Sequence, residues 1–415
     1  MIKKDVFLTN SFIFFAGSFI VGLGNYLFQF LMARMLTIED YGELQSLIAV
    51  FSIFGIPLAA LGAVLMRNTA GFKEEDSLGK IKALFSYFSK IVVIISIVLF
   101  LILLILSKSI LGFLNLNSNF PIIILGISLI PAFLSFVSKN IIQGLEKFKA
   151  IFVISIIETG FKIISAILLV TAGFKVGGAM LAFFISGVIS YSISFIPLLF
   201  LLKEKEQKIE TKEIFQYFLL ALLGTSFLNL LFNLDIILVK HFLPSFSAGE
   251  YGGLALIGRI IFFLGGPIAI VMFPIIFRNR IKNQNSSAVF IKALLFTFVI
   301  EVLPLIAYFL FPGFIIKLLI GEEFLGIKGV LGYFGLAMLS YSLINLFSQY
   351  FLSLGEKMFS IFLLGGVLLE IILISIWHQS IFQIVWIINL INILILTGLT
   401  SYYYFLNKRK SWTKN

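Results

Sequence analysis

Gly55-Ile56-Pro57-Leu58-Ala59 lies inside an apolar segment, and Gly265-Gly266-Pro267-Ile268-Ala269 lies inside another, 210 residues further on. Two more landmarks keep that spacing: Tyr41-Gly42 returns as Tyr251-Gly252, and Glu146-Lys147 returns as Glu356-Lys357. The pairs (41 and 251, 57 and 267, 146 and 356) occupy matching rungs of a ladder of apolar segments, which reads as an internal duplication. Membrane chains built from two like halves usually keep their binding site between them, so the repeat points to transport rather than chemistry.

The 415 residues are 60% hydrophobic and 12% charged, with a mean hydropathy of +1.10. A soluble core does not absorb that much apolar surface, so the solvent is lipid. At roughly twenty apolar residues per span, the first half holds segments at about 9–33, 42–66, 84–107, 120–138, 151–172 and 177–202. The second half holds them at about 214–240, 251–277, 289–311, 328–353, 358–376 and 381–406. They run well past the ~10 residues of a tilted membrane strand and lack its alternation, so they read as helices. The expected fold is an all-α polytopic membrane protein of about twelve transmembrane helices in two six-helix lobes, related as a parallel repeat. The lobes are 1–202 and 214–415. Between them the mixed-charge run KEKEQKIETKE at 203–213 reads as a cytoplasmic linker, either a spacer without a partner or a short surface helix. The first apolar segment is too long for a signal-peptide core and reads as a retained helix.

A net charge of +11 does not mean nucleic acid here. With the N-terminus inside, 22 of the 31 Lys and Arg fall on the inner side and six on the outer. That bias is the positive-inside rule, and it puts both termini in the cytoplasm of a multi-pass inner-membrane protein. The chain has no Cys, and its two His, His241 and His378, stand far apart in sequence. Disulfides and metal sites are therefore not expected. No catalytic triad, phosphate-binding glycine loop or other reactive constellation is visible, so neither an enzyme nor a cofactor is expected.

Ionisable groups inside spans are costly and tend to face a bundle interior or a water-filled path. Arg259 falls about 14 Å into its span, near the midplane, by the ~1.5 Å rise per residue. It is either an anchor for an anionic head group, for which its planar fork of donors suits it, or a structural Arg paired with a carboxylate. Glu158 and Lys162, four apart on one helical face, form either a self-neutralising pair or a cavity-facing Lys tuned by its neighbour. Asp235, Glu301 and Glu370, with Glu158 as a further candidate, either carry a coupling proton or Na⁺ or serve as counter-ions. Arg34 and Lys240 close spans on the outer side, where snorkelling explains them. Pro57 and Pro267, each two residues after a Gly (Gly55 and Gly265), are expected to kink their helices, either lining a cavity or as inherited packing features.

Several stretches are similar to a known family. Ala33-Arg-Met-Leu-Thr-Ile-Glu-Asp-Tyr-Gly42 resembles the junction of the first two spans of bacterial and archaeal polysaccharide flippases. Asp235-Ile-Ile-Leu-Val-Lys-His-Phe242, with Ala248-Gly-Glu-Tyr-Gly252, resembles the matching junction of their second half, and Ile142-Gln-Gly-Leu-Glu-Lys-Phe-Lys149 also fits. The family is the oligosaccharide flippase branch of the multidrug/oligosaccharidyl-lipid/polysaccharide exporter superfamily. The resemblance implies two lobes that open alternately to each side and a substrate that is a polyprenyl-pyrophosphate-linked oligosaccharide for surface polysaccharide. Cations in the cavity would receive the head group: Arg259 first, with Lys162, Arg34 and Lys240 as further candidates. It also implies membrane lipids, a proton or Na⁺, and glycan polymerase or ligase proteins as partners. The extra spans of lipid II flippases are not expected from the twelve apolar segments counted. A cation-coupled multidrug exporter and a non-transporting scaffold of glycan assembly remain the alternatives.

Overall fold

The computed structural model describes residues 2–209, 211–281 and 284–412, and among these every regular element is helical. The helices gather into two compact units, Met1–Leu222 and Leu223–Asn415. The first contains α1 (Ile2–Met35), α2 (Ile38–Phe54), α3 (Ile56–Glu74), α4 (Leu78–Ile105), the short α5 (Ser107–Phe113), α6 (Phe120–Gly144), α7 (Phe148–Leu169) and α8 (Lys175–Ser194). The chain passes to the second within α9 (Thr211–Phe242). It continues as α10 (Ser245–Ile281), α11 (Ser287–Leu310), the short α12 (Pro312–Leu319), α13 (Leu331–Ser353), α14 (Phe359–Ile376) and α15 (Ile381–Trp412).

Eight of the described helical stretches are long and apolar enough to cross a bilayer, and α2 with α3 make a ninth span across a 43° bend. One of the eight, Phe148–Ser194, is a hairpin rather than a rod. Gly173 at φ 92° and Lys175 at φ 46° reverse the chain, and α7 packs back along α8. Gly takes that left-handed φ without the Cβ penalty other residues meet. The hairpin therefore supplies two spans, and α1 and α9 complete the twelve expected.

Each unit has one central helix. Of their most apolar stretches, 56% is buried in α6 and 72% in α13, against 22% in α4, which faces lipid. The central helices carry buried hydroxyls that satisfy themselves on their own backbone: Ser128 donates to the Ile124 carbonyl at 2.6 Å, and Ser348 to the Ile344 carbonyl at 2.8 Å. Small residues of this kind let helices approach closely where no water drives them together. The outward faces stay apolar, with Ile270 75% and Leu303 70% exposed, as a lipid solvent requires.

Helix limits follow local chemistry. Thr37 caps α2 by accepting the Asp40 N–H at 3.2 Å, with Glu39 and Asp40 in the first turn, where carboxylates suit the exposed amides and the dipole. The Gly55-Pro57 step ends α2 and opens α3, with Pro57 in the first turn, where its missing N–H costs nothing. At the matching step α10 stays helical through Gly265, Gly266 and Pro267, so the helix is interrupted at the first of the two steps and not at the second.

The linker is not a free spacer over its described first part. Gln207 N–H donates to the Gly79 carbonyl at 3.2 Å, and Lys82 Nζ donates to the Glu204 carbonyl at 2.8 Å. Residues 204–207 thus lie on the first turn of α4, fastened by backbone groups that a charge-pattern reading does not reveal. Glu210, Lys282, Asn283 and the last residues from Thr413 lie outside the described residues.

Candidate functional site: buried charges in each unit

In the second unit Arg259 extends from α10 towards α9. Its guanidinium pairs with Asp235 Oδ1 at 2.9 Å, donates to the Phe232 carbonyl and lies 4.3 Å from the Phe232 ring centroid. The two side chains are 12% and 4% exposed. Tyr251 donates its hydroxyl to Asp235 Oδ2 at 2.7 Å, so both carboxylate oxygens are held. Phe232 packs against Phe262 and Tyr341, closing an aromatic wall. Glu370 of α14, 3% exposed, interacts electrostatically with Asp235 and Arg259, and its Oε1 has no hydrogen-bond partner among the described residues. The Arg259 Nε is likewise unbonded. Arg259 thus has a carboxylate partner on another helix. A carboxylate one span away neutralises it, because an unpaired guanidinium there would cost far more than the pair.

In the first unit Glu158 and Lys162 make no ion pair with each other among the described residues, although Glu158 acts electrostatically on Lys162. Lys139 of α6 takes Glu158, and Ser190 of α8 donates to the same Oε2 at 3.1 Å and shares a 2.6 Å hydrogen bond with Ser135. A cation from a neighbouring helix meets the carboxylate head-on, whereas an i,i+4 pair must bend along one helix surface. Lys162, half-buried, instead donates to Asn25 Oδ1 of α1 and lies 5.2 and 5.1 Å from the ring centroids of Phe28 and Phe183. Its Nζ is thus cradled by one neutral acceptor and two aromatic faces, with no carboxylate at ion-pair distance among the described residues.

The remaining candidates stand apart. Arg34 is exposed at the end of α1, whereas Lys240 is 1% exposed and reaches Ser245 Oγ at 3.4 Å. Lys240 is therefore buried rather than extended to the surface, with the first residue of α10 beside its ammonium. Glu301 of α11 is fully buried, accepts from Ser342 Oγ at 2.5 Å and has an unbonded Oε2. His241 and His378, distant in sequence, both pack on the Phe242 ring, at 4.5 and 4.3 Å. No group of three metal-ligating side chains occurs among the described residues. Asn25, Phe28, Phe183, Ser190 and Ser342 were not singled out by sequence, because neutral and aromatic residues in an apolar span carry no mark of their own, and Lys139 counted only as one of the inner-side cations. Asn25 had one usable signal: it stands 210 residues before Asp235.

Residues 7–280 match the family model described as polysaccharide biosynthesis protein. An uncharacterized membrane protein of Methanocaldococcus jannaschii is 27% identical over 315 residues, covering 68% of this chain and 72% of its own. Among solved structures, an inward-facing multidrug resistance MATE family transporter of the MOP superfamily aligns with TM-score 0.76 and 16% identity, over 94% of this chain and 96% of that one. The inward closed lipid II flippase MurJ aligns with TM-score 0.73 and 14% identity, over 95% and 87%. At those identities the likeness is one of fold. By its sequence this chain belongs to the polysaccharide biosynthesis protein family, a multi-pass membrane protein with the fold of MOP superfamily transporters.

Proposed function

We propose that the protein moves a polyprenyl-pyrophosphate-linked oligosaccharide across the cytoplasmic membrane by alternating access, for assembly of surface polysaccharide. Family membership supports the substrate class, and the observation that carries an anionic head group is the Lys162 cradle. Among the described residues no carboxylate lies within ion-pair distance of its ammonium, so the charge is available to a phosphate. Arg259, spent on Asp235, is the weaker anchor; the head-group role passes to Lys162.

Coupling is assigned to the second unit. One guanidinium faces two carboxylates, Asp235 and Glu370, in a medium that does not tolerate the excess negative charge. The second carboxylate therefore takes up a proton or Na⁺, and release of that ion supplies the driving force. The twofold build has support in the paired positions Asn25 and Asp235, each receiving a cation from another helix of its own unit. The inner side is the end bearing Lys73–Glu146 at 2.6 Å and Lys80–Glu75 at 2.7 Å, with both termini in the cytoplasm.

A second reading, a cation-coupled multidrug exporter, is favoured by the Arg259 salt bridge together with the unbonded oxygens of Glu301 and Glu370. Proteoliposomes separate the two. Flipping of a lipid-linked sugar pyrophosphate supports the proposal, export of cationic dyes supports the second reading, and neither activity supports a scaffold.

A further inference from the structure

The Gly-x-Pro step behaves differently in the two units, and one side chain marks the difference. In the first unit the helix breaks at Gly55 with a 43° bend, and position 91, which stands 210 residues before Glu301, is Ile. In the second unit α10 stays helical through Gly265-Gly266-Pro267, and there the carboxyl of Glu301 packs directly on Gly265. A Cβ at Gly265 would collide with Glu301 Oε1 and stand 2.8 Å from Ser342 Oγ. Pro267 lacks the N–H that would bond the Phe263 carbonyl, so α10 is weakest in the turn that Glu301 touches.

We infer that Glu301 with Ser342 is a proton-binding site that latches α10: protonated, the carboxyl rests on Gly265 and the helix is continuous; deprotonated, it leaves and α10 bends at the Gly-Pro step. Ser342 Oγ is the one bonded partner of the carboxyl, at 2.5 Å, and Oε2 has none among the described residues. A single hydroxyl does not hold a full negative charge in a site with no exposure. Among the described residues no cation pairs with it, and Lys292, nine residues before it on α11, is exposed. On α10, Arg259 is engaged by Asp235, while Glu250, Arg278 and Arg280 lie towards the helix ends. On α12, Lys317 pairs with Glu322; on α13 the titratable groups are Tyr333, Tyr341 and Tyr350, and the Tyr341 hydroxyl donates to the Leu228 carbonyl. Tyr308, on α11 itself, donates to the Ile257 carbonyl. The latch is independent of the transported substrate.

The absence of Cys permits labelling without background. Spin labels on Phe246→Cys and Phe277→Cys, both 47% exposed on α10, are read by pulsed dipolar spectroscopy in nanodiscs without substrate. A continuous helix separates them by about 46 Å and a bend like that of the first unit shortens this by about 3 Å, at ~1.5 Å per residue. In the wild-type background the shorter distance is expected to grow in as pH rises. Glu301→Gln should hold the longer distance at every pH, and Gly265→Ala should favour the shorter one even in acid. Infrared difference spectra of the same titration should show loss of a protonated carboxyl band that Glu301→Gln lacks. A distance independent of pH, or one that still changes in Glu301→Gln, overturns the latch whether or not the protein flips lipids. Should Glu301→Gln not fold, Ser342→Ala serves instead: an unmoved titration midpoint in that variant is equally fatal.

Discussion

The Arg259–Asp235 pair should behave as one energetic unit, and a double-mutant cycle measures it. Removing one partner of a buried pair costs about 3–5 kcal/mol, chiefly because the survivor is left charged and unpaired. Asp235→Ala leaves the guanidinium the Phe232 carbonyl and ring, with Glu370 acting on it electrostatically and without a hydrogen bond. A desolvated cation–π contact recovers about 2 kcal/mol, which places this variant near the lower bound. Arg259→Ala leaves Asp235 with the Tyr251 hydroxyl at 2.7 Å, a charged hydrogen bond worth about 1.5–3 kcal/mol, so it too should fall near 3 kcal/mol. The double variant removes both charges and should cost about 2–3 kcal/mol less than the sum of the singles, the upper part of the range seen for directly coupled residues. Steric trapping in bicelles gives each unfolding free energy. Additivity within about 0.5 kcal/mol would show that the two side chains do not depend on each other and would remove the paired reading of Arg259.

Three further outcomes follow from the geometry. Lys162→Met should weaken binding of polyprenyl pyrophosphate in nanodiscs by roughly 10- to 100-fold, the value of a charged hydrogen bond of about 1.5–3 kcal/mol; unchanged affinity by calorimetry would take the head group elsewhere. Lys139→Ala should destabilise the first unit by about 1–3 kcal/mol, less than a fully buried pair because its side chains are 22% and 29% exposed. Glu158→Gln should restore most of that loss in the double variant, and a rescue that fails would show that Lys139 acts otherwise. Outside the membrane, the hydrogen bond from Lys317, and then its charge, hold the Glu322 carboxyl below the usual carboxylate range. A depressed value means that this tie between α12 and the following turn is complete above the ordinary glutamate range and is lost as pH falls through the lowered one. Hydrogen exchange at 322–329 should therefore quicken only in more acid solution than a free glutamate would dictate, and quickening already in the ordinary range would contradict the contact.

The sequence carried the fold because lipid makes one demand throughout: every backbone amide must be satisfied within its own segment. Twelve long apolar runs therefore meant twelve helices, and Thr37, Gly55-Pro57 and Gly173 mark their limits by ordinary backbone chemistry. The charges were legible as expensive and therefore meaningful, but not their partners. Glu158 and Lys162 share a helix face, yet each finds its partner on another helix, because helix–helix registry is set by packing that one-dimensional spacing does not encode. Lys240 shows the same limit: a cation at a span end can snorkel or be buried, and tertiary packing decides. The cradle of Lys162 was least visible, since Asn25, Phe28 and Phe183 look like ordinary span residues until α1, α7 and α8 come together.

The most direct test is transbilayer movement of a fluorescent polyprenyl-pyrophosphate-linked oligosaccharide by the purified protein in proteoliposomes, with and without an imposed proton or Na⁺ gradient. Flipping that responds to the gradient and falls at least tenfold in Lys162→Met is expected, the loss matching one charged hydrogen bond. Absence of flipping in a preparation that still carries organic cations would contradict the assignment of a lipid-linked anionic substrate.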